Sequence, residues 1–356
     1  IPIVSEMEFA GRFCKAKILS ITGSNGKTTT AILTHKILSE GGVHVTLAGN
    51  IGESFAYSVA TETPDWYVLE LSSFQLDGCY DFKSNIAVLT NITPDHLDRY
   101  NYDMSLYVAS KFRVCRNQTK NDFFLYNSVD PETLNYMKNN TFGGELIPVA
   151  VDQGEEIVCR YDGREVRIKK ANLKIKGLHN YANITDSVLA AMIVGVESAS
   201  IVRSVEEFAG VEHRMEFTGE INGVTYINDS KATNVDSTWY ALESMTSPTV
   251  WIAGGTDKGN DYSPLYDFAR RSVHTLICMG VDNKKLLEKF AGIIPQIVDA
   301  HSLDEAFAAA RSAANTGDVV LLSPCCASFD LFKNYEERGR LFKAKVNDII
   351  EENGRK

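Results

Sequence analysis

Residues 17–30 read KILSITGSNGKTTT, and this stretch decides the fold of the first half of the chain. The apolar run Lys17–Thr22 predicts a buried β-strand, and Lys27–Glu40 predicts the helix that follows it. Between them lies a loop with two glycines, where backbone N–H groups can approach an anion closely. The helix N-terminus adds unpaired N–H groups and a favourable dipole. The stretch therefore predicts a strand–loop–helix unit that binds phosphate.

The loop is shorter than the usual phosphate-binding loop. The longer pattern has Gly five residues before Gly26, but this chain has Ile21 there, which leaves the form G-x-x-G-K-T. In such a loop the Lys27 ammonium can reach terminal phosphates, and the Thr28 hydroxyl can ligate Mg²⁺. A plain helix cap without a ligand is the simpler alternative.

Short apolar runs alternate with helical patterns beyond this unit. The predicted strands are 43–48, 66–71 and 86–91, and the predicted helices are 105–116 and 180–195. This alternation is typical of a mostly parallel sheet covered by helices. Residues 155–175 instead alternate every second residue around Asp162-Gly163, which predicts a small antiparallel hairpin.

A second α/β unit begins near residues 205–212. Asn222-Gly223 predicts a hairpin turn between strands at 217–221 and 225–228. Further predicted strands are 250–253, 275–279 and 319–323, and the predicted helices are 264–271, 283–290 and 303–313. We therefore expect two α/β domains, at 1–210 and 211–356. The first is a P-loop ATPase domain with a mostly parallel sheet, and the second is Rossmann-like.

Composition narrows the class of function. The 356 residues carry a net charge of -10, which argues against a general nucleic-acid binder. The seven cysteines form no C-x-x-C pair, so reduced thiols in a cytoplasmic protein are expected. No apolar run could span a bilayer and no secretory leader opens the sequence, so membrane insertion is not expected.

Three further polar residues are candidates for binding metal or phosphate next to the predicted phosphate loop. Glu70 ends a strand, where open α/β sheets bind ligands, and its carboxylate suits Mg²⁺; a solvated glutamate is the alternative. His96 lies in the polar stretch 91–99 after another strand, and a structural histidine is an equal alternative. Lys111 lies in a predicted helix, and by composition alone it would be a solvated surface residue.

Together these motifs resemble the Mur ligase family of peptidoglycan synthesis, and the resemblance covers essentially the whole chain. The matching segments are residues 23–28, 69–76, 91–99, 179–183, 228–234 and 323–330. The segment 228–234, NDSKATN, matches most sharply the members that add D-glutamate to UDP-N-acetylmuramoyl-L-alanine. The chain opens with IPIVSE, which looks like the linker after the family's N-terminal UDP-binding domain. The chain is thus expected to hold the central and C-terminal domains.

The resemblance implies a role for each matched residue. The expected ATP-binding residues are Gly23, Ser24, Asn25, Gly26, Lys27, Thr28, Thr29, Asn180, Asn183, His213, Arg214 and Asp229. Two Mg²⁺ ions are implied, with Thr28, Glu70, His96 and a CO₂-carbamylated Lys111 as ligands. The expected substrate-binding residues are Asn50, Ser72, Thr233, Lys258, Ser328, Phe329 and Tyr335. The residues implied in catalysis are Lys27, His96, Lys111, Arg214 and Lys231.

The implied reaction is amide formation through an acyl phosphate, by a cytoplasmic monomer acting on small molecules. Three alternatives remain open at this point. A sister amide ligase would add another amino acid, and a P-loop kinase or GTPase would turn over nucleotide without D-glutamate. A non-catalytic ATP-binding fragment would bind the nucleotide without turnover.

Overall fold

The computed structural model describes residues 3–94, 97–151 and 153–354. The chain divides into two compact units, Ile1–Ala209 (unit one) and Gly210–Lys356 (unit two). Each unit has its own β-sheet and its own buried apolar core.

Unit one is built on a parallel β-sheet. Its strands are β1 (Lys17–Thr22), β2 (Val45–Gly49), β3 (Trp66–Glu70), β4 (Ile86–Leu89), β5 (Phe123–Asn127) and β6 (Glu145–Val149). The strand order is β2-β3-β1-β4-β5-β6, so β1 lies between β3 and β4. Strands β3 and β4 are buried along their whole length, as expected for parallel strands covered on both faces. The carboxyl ends of β1, β3 and β4 therefore meet at one edge of the sheet.

Helices cover this sheet. They are α1 (Glu6–Gly11), α2 (Lys27–Glu40), α3 (Phe55–Thr61), α4 (Ser73–Asp77), α5 (Met104–Phe112), α6 (Pro131–Lys138), α7 (Leu178–Val194) and α8 (Ser198–Glu207). Helix α7 packs on α2, and the Ser187 hydroxyl donates to the Thr30 carbonyl at 3.2 Å. The helix predicted at 105–116 is shorter than expected, because α5 passes into a 3₁₀ turn at Arg113–Cys115.

A two-stranded hairpin completes unit one. Its strands are β7 (Glu156–Tyr161) and β8 (Arg164–Lys169), paired antiparallel. Asp162 and Gly163 in the turn have φ of 48° and 72°, in the left-handed region that two-residue hairpin turns require. The hairpin predicted around Asp162-Gly163 is therefore confirmed.

Unit two is a second, mostly parallel α/β sheet. Its strands are β9 (Glu216–Ile221), β10 (Val224–Asn228), β11 (Thr249–Ala253), β12 (Val273–Met279), β13 (Gln296–Ala300) and β14 (Val319–Leu322). The order is β13-β12-β11-β14-β10-β9, and β9 pairs antiparallel with β10 through the predicted Asn222-Gly223 turn. The helices are α9 (Val235–Glu243), α10 (Tyr266–Ser272), α11 (Lys284–Phe290), α12 (Leu303–Ala313) and α13 (Tyr335–Gly354).

Two apolar cores lie on the two faces of the unit-two sheet. Trp251 and Leu276 belong to one core, whereas their neighbours Val250 and Ile277 belong to the other. This alternation follows from the two-residue period of a strand. The indole N–H of Trp251 donates to the Ser323 carbonyl at 2.7 Å, so its polar group is satisfied within the core.

The predicted α/β class with a mostly parallel sheet is confirmed, but several elements went unpredicted. Strand β2 begins and ends later than the predicted 43–48, and strands β5, β6 and β13 and helix α13 were not among the predicted elements. Among the described residues, which include every cysteine, all seven thiols are free and six are buried. No helix in the described part of the chain is both long and apolar enough to cross a membrane.

A buried carboxylate fixes α1 to the rest of unit one. Glu8 is fully buried, and its Oε2 accepts hydrogen bonds from the backbone N–H groups of Tyr80, Asp81 and Phe82 at 2.8–3.0 Å. The Arg12 guanidinium donates to Oε1 at 2.8 Å. Burial alone would raise the pKa of Glu8, but these hydrogen bonds outweigh it and hold the pKa below its usual value.

Replacing Glu8 with Ala should lower the free energy of unfolding of unit one by about 2–4 kcal/mol, because the Arg12 guanidinium and three backbone N–H groups, one of them buried, lose their shared acceptor. The folded-state pKa lies below the unfolded value, so this stabilisation is complete above the unfolded pKa and is lost as pH falls through the folded-state pKa. Urea unfolding across pH measures both effects. The control is Asp81→Ala, which removes an exposed carboxylate 3.8 Å from Arg12. A Glu8→Ala effect no larger than the control's would contradict this assignment.

Candidate functional site

The loop after β1 contains two glycines whose backbone conformation and close neighbours leave no room for a side chain. Gly23 has a φ of 146°, and a Cβ there would lie 2.0 Å from Thr90 Oγ1. Gly26 caps α2 with a φ of 84°, and a Cβ there would lie 2.2 Å from Asn183 Oδ1. Gly26, the N-cap residue, has no side chain with which to cap α2, and a helix N-terminus of this kind is suited to an anion.

The segment that follows β4 and a side chain of α5 hold the same loop. The Asn25 N–H donates to Asn91 Oδ1 at 3.0 Å, and Asn91 Nδ2 donates back to the Asn25 carbonyl at 3.1 Å. The Ser24 hydroxyl donates to the Thr93 carbonyl at 2.8 Å and lies 3.0 Å from the Tyr107 hydroxyl. Asn91 and Tyr107 thus shape the loop, and the sequence assigned neither of them a role.

Lys27 lies over the loop that precedes it. Its Nζ donates to the carbonyls of Gly23 and Ser24 at 2.8 and 2.7 Å. The next two residues, Thr28 and Thr29, are buried in the first turn of α2. The structure thus brings the predicted phosphate-binding residues together at the carboxyl end of β1.

Glu70, at the carboxyl end of β3, is a suitable ligand for Mg²⁺. The side chain is 2% exposed, its Oε1 accepts from Asn50 Nδ2 at 2.8 Å, and its Oε2 has no hydrogen-bond partner among the described residues. An unpaired buried carboxylate oxygen is costly unless a cation completes it. Mg²⁺ prefers such oxygen ligands, so Glu70 and the buried Thr28 fit this ion.

Lys111 is buried, contrary to what composition alone predicts for a helical lysine. It is 2% exposed, and its Nζ donates to the Gly23 carbonyl at 2.7 Å. The same Nζ lies 4.6 Å from the centre of the Tyr107 ring. Helix α5 therefore places this amine in direct contact with the phosphate loop, at Gly23, which is 88 residues away in sequence.

The remaining predicted residues of unit one differ in their surroundings. Ser72 caps α4 through a reciprocal pair of hydrogen bonds with Gln75, and Asn50 is exposed apart from its contact with Glu70. Asn183 is buried against Gly26, whereas Asn180, one turn earlier in α7, donates to the Lys176 carbonyl. His96 lies outside the described residues.

Unit two places its polar residues at the carboxyl edge of its own sheet. Asp229 follows β10, is 4% exposed, and accepts from the Met215 N–H at 3.2 Å and the Ser323 hydroxyl at 2.8 Å. Burial raises the pKa of Asp229 to about 7, although the charge of Arg214 opposes the shift. The Arg214 Nε is buried with no partner among the residues described, which suits an anionic ligand.

Strained backbone flanks Arg214. His213 and Met215 have φ of 63° and 45°, which non-glycine residues adopt at a cost and often at functional sites. His213 is 4% exposed and accepts from Asn228 Nδ2 at 2.9 Å. Burial lowers the pKa of its imidazole, while the charges of Glu212 and Glu216 act in the opposite direction. The packing around His213 thus fixes the course of the chain through Arg214.

The predicted amino-acid-binding residues lie on loops after β10, β11 and β14, and at the start of α13. The ammonium of Lys231 lies 5.9 Å from the centre of the Tyr335 ring, and the Thr233 N–H donates to the Lys231 carbonyl. Ser328 is buried, whereas Phe329 is 68% exposed. Lys258 is exposed in the loop after β11.

Arg338, a residue that no sequence pattern singled out, contacts all three of these loops. The side chain is fully buried in α13; its Nε and Nη2 donate to Ser230 at 2.9 Å. Weaker contacts of 3.4–3.5 Å reach the carbonyls of Gly254 and Cys326. The only sequence sign was an arginine in an otherwise amphipathic helical pattern, which is usually a surface residue.

Comparison with known proteins identifies the family. Residues 21–193 match the Mur ligase middle domain, and residues 213–326 match the glutamate ligase domain of Mur ligases. A relative from Christiangramia forsetii is 46% identical over 98% of this chain and 80% of its own length. One from Bacteroides fragilis is 44% identical, with the same coverage. Both relatives are named UDP-N-acetylmuramoylalanine–D-glutamate ligase.

Solved structures share the fold at low sequence identity. The MurF ligase of Thermotoga maritima, in complex with ADP, is 15% identical, with a TM-score of 0.68 over 96% of this chain and 84% of its own. E. coli FolC, in complex with DHPP and ADP, is 15% identical, with a TM-score of 0.67 over 98% and 95% of the two chains. The chain belongs to the Mur ligase family, whose members are ATP-dependent amide ligases.

Proposed function

We propose that this chain joins D-glutamate to UDP-N-acetylmuramoyl-L-alanine in peptidoglycan synthesis, with conversion of ATP to ADP and phosphate. The observation that carries the proposal is the 46% identity, over 98% of the chain, with a relative named for this reaction. ATP-dependent ligation accords with the phosphate loop of unit one.

The reaction proceeds in two steps. An oxygen of the alanine carboxylate attacks the γ-phosphorus of ATP, the bond to the β-phosphate oxygen breaks, and ADP leaves from an acyl phosphate. The neutral amine of D-glutamate then attacks the acyl carbon, phosphate leaves with the bonding electrons, and the amine gives up a proton. Two anions meet in the first step, so the protein must supply positive charge.

The α2 N-terminus and the Lys27 ammonium supply that charge in unit one. They bind the β- and γ-phosphates, while Gly23, Ser24, Asn25, Gly26 and Thr29 shape or line the loop. Thr28 and Glu70 would hold Mg²⁺, which neutralises charge between the phosphates when bound. Asn50 orients the Glu70 carboxylate through the 2.8 Å hydrogen bond. Ser72 follows Glu70 by two residues in the sequence.

Lys111 would act as a carbamate. The Lys111 ammonium would first lose one proton, and the neutral amine would then add to CO₂ and release a second proton. The carbamate formed in this way is an anion, and its oxygens could ligate a second Mg²⁺, an ion to which we also assign His96. The remaining carbamate N–H could keep the hydrogen bond to the Gly23 carbonyl. Burial of Lys111 against the phosphate loop supports a role at the metals rather than in solvent.

The other nucleotide contacts come from α7 and from unit two. We assign Asn180 and Asn183 to the adenine side and Asp229 to the ribose. Arg214 would bind phosphate oxygens, which agrees with its unpaired buried Nε, and His213 would hold Arg214 in place.

The D-glutamate pocket would lie at the carboxyl edge of the unit-two sheet. Two substrate carboxylates require cations and hydrogen-bond donors. Lys231, Thr233, Lys258, Ser328, Phe329 and Tyr335 would supply these and the pocket wall. Asn50 and Ser72 would contact the muramoyl peptide. The reaction would take place in the cytoplasm, where ATP is available and free thiols persist.

The direct test of the proposal is phosphate release by the full-length gene product with Mg-ATP and UDP-N-acetylmuramoyl-L-alanine. D-Glutamate should stimulate release, whereas L-glutamate, L-alanine and diaminopimelate should not. Stimulation by another amino acid would identify a sister ligase. Turnover independent of any amino acid would indicate a kinase or GTPase, and binding without turnover would indicate a non-catalytic protein.

Replacing Lys258 with Ala should raise the KM for D-glutamate at least about tenfold, because a charge-assisted contact to a carboxylate is lost. The KM for ATP should change little. Steady-state kinetics with each substrate varied in turn measures both constants. Lys284→Ala is a suitable control, since that side chain is 80% exposed on α11. An unchanged KM for D-glutamate would place the pocket elsewhere.

A further inference from the structure

The loop after β11, residues 254–262, carries Lys258 and is organised around one carboxylate. Asp257 Oδ1 accepts from the Gly259 and Asn260 N–H groups at 2.6 and 3.1 Å. Its Oδ2 accepts from the Tyr262 hydroxyl at 2.6 Å. These bonds close a tight turn, and Lys258 lies at its tip.

The same loop is fastened to the β14 loop, which carries Ser328. The Thr256 N–H donates to the Ala327 carbonyl at 2.8 Å, and Asn260 Nδ2 donates to the Cys325 carbonyl at 3.0 Å. The position of the turn at Lys258 is therefore set relative to another predicted wall of the pocket. Any change in the charge or hydrogen bonds of Asp257 would act on this arrangement.

A lysine outside the loop neutralises Asp257. Lys285, in α11, donates to Asp257 Oδ1 at 3.0 Å, and its ammonium lies 5.5 Å from the centre of the Tyr262 ring. Burial alone would raise the pKa of Asp257, but the hydrogen bonds from Tyr262 and Lys285 hold it below its usual value. The carboxylate therefore stays charged, and Lys285 balances the charge.

Lys258, by contrast, forms no ion pair within the part of the chain that the structure describes, and it is exposed. It follows Asp257 directly in sequence, so its flexible side chain could fold back onto an unpaired Asp257. A carboxylate left unpaired here would also repel a dicarboxylate ligand. Both effects would weaken binding of an acidic amino acid.

We propose that Lys285 is a positioning residue for the acidic amino-acid substrate. Because Lys285 pairs with Asp257, the Lys258 ammonium remains available to a substrate carboxylate. The same ion pair neutralises the Asp257 charge, which would otherwise repel an acidic substrate. This inference rests on the proposed role of Lys258 in D-glutamate binding.

The test is steady-state kinetics of the full-length gene product with D-glutamate varied. Lys285→Ala should raise the KM for D-glutamate about three- to tenfold, as expected for loss of a partly exposed ion pair next to a binding charge. The KM for ATP and kcat should stay near wild type. Lys285→Arg should retain most of the affinity. Lys284→Ala, one position away with an 80% exposed side chain, should have no effect.

A second variant separates charge competition from simple loss of structure. Asp257→Asn added to Lys285→Ala removes the competing charge but keeps an acceptor for the Gly259 and Asn260 N–H groups. The double variant should recover most of the lost D-glutamate affinity. No rise in KM for Lys285→Ala, or no recovery in the double variant, would overturn the inference. If Lys258→Ala also leaves the KM for D-glutamate unchanged, the proposed role of Lys258 fails as well, which separates the two failures.

Discussion

Replacing Lys27 with Ala is expected to reduce kcat by at least about 100-fold while the fold stays intact. The ammonium lies over the loop at the start of α2, where it can stabilise the negative charge that develops on the transferring phosphoryl group. A neutral methyl group cannot offset the repulsion between the substrate carboxylate and the γ-phosphate. Because this repulsion peaks in the first step, the loss should appear in kcat as well as in ATP affinity.

The measurement combines turnover with direct binding of Mg-ATP by calorimetry. Lys36→Ala in the same helix is the matched control, since that ammonium pairs with Glu40 and lies nine residues after Lys27, near the other end of α2. Circular dichroism and melting temperature should show both variants folded. Near-normal turnover of Lys27→Ala would exclude this loop as the site of phosphoryl transfer.

Replacing Lys111 with Ala should reduce activity by at least about 100-fold, because the carbamate would be lost as a metal ligand. Removal of CO₂ from wild-type enzyme should produce the same loss, and bicarbonate should restore activity. Formate or acetate should partly rescue Lys111→Ala by supplying the missing carboxylate oxygens. Lys120→Ala, at an exposed position, is the control and should respond to none of these treatments.

A spectroscopic readout separates carbamylation from a purely structural role of this buried lysine. With ¹³C-bicarbonate, wild-type enzyme should show a carbamate carbon signal that is absent from Lys111→Ala. Lys111→Met, which fills the same buried space without an amine, should be equally inactive and should also lack the signal. A wild-type enzyme without a carbamate signal, or an active Lys111→Met, would show that the amine only braces the Gly23 carbonyl.

The sequence by itself determined the class of fold and the location of the phosphate loop. Strand β1 and helix α2 were predicted with the bounds that the structure has, because a buried apolar run, two glycines and a helical pattern are local signals. The hairpin turns at Asp162-Gly163 and Asn222-Gly223 were equally local, since their positive φ favours these residue types. The family resemblance supplied the remaining candidate residues, whose roles stay proposals.

Only the tertiary structure decided which polar side chains lie buried and what they contact. Lys111 and Arg338 carry charges that composition places on the surface, yet both are buried against carbonyl groups distant in sequence. The Asp257–Lys285 pair likewise joins a loop to a helix 28 residues away. The spacing of apolar residues in the sequence indicates which face of a helix or strand is buried. It does not indicate which loop a polar side chain will contact. Such contacts depend on how strands and helices from distant parts of the chain pack, and local sequence signals do not encode that packing.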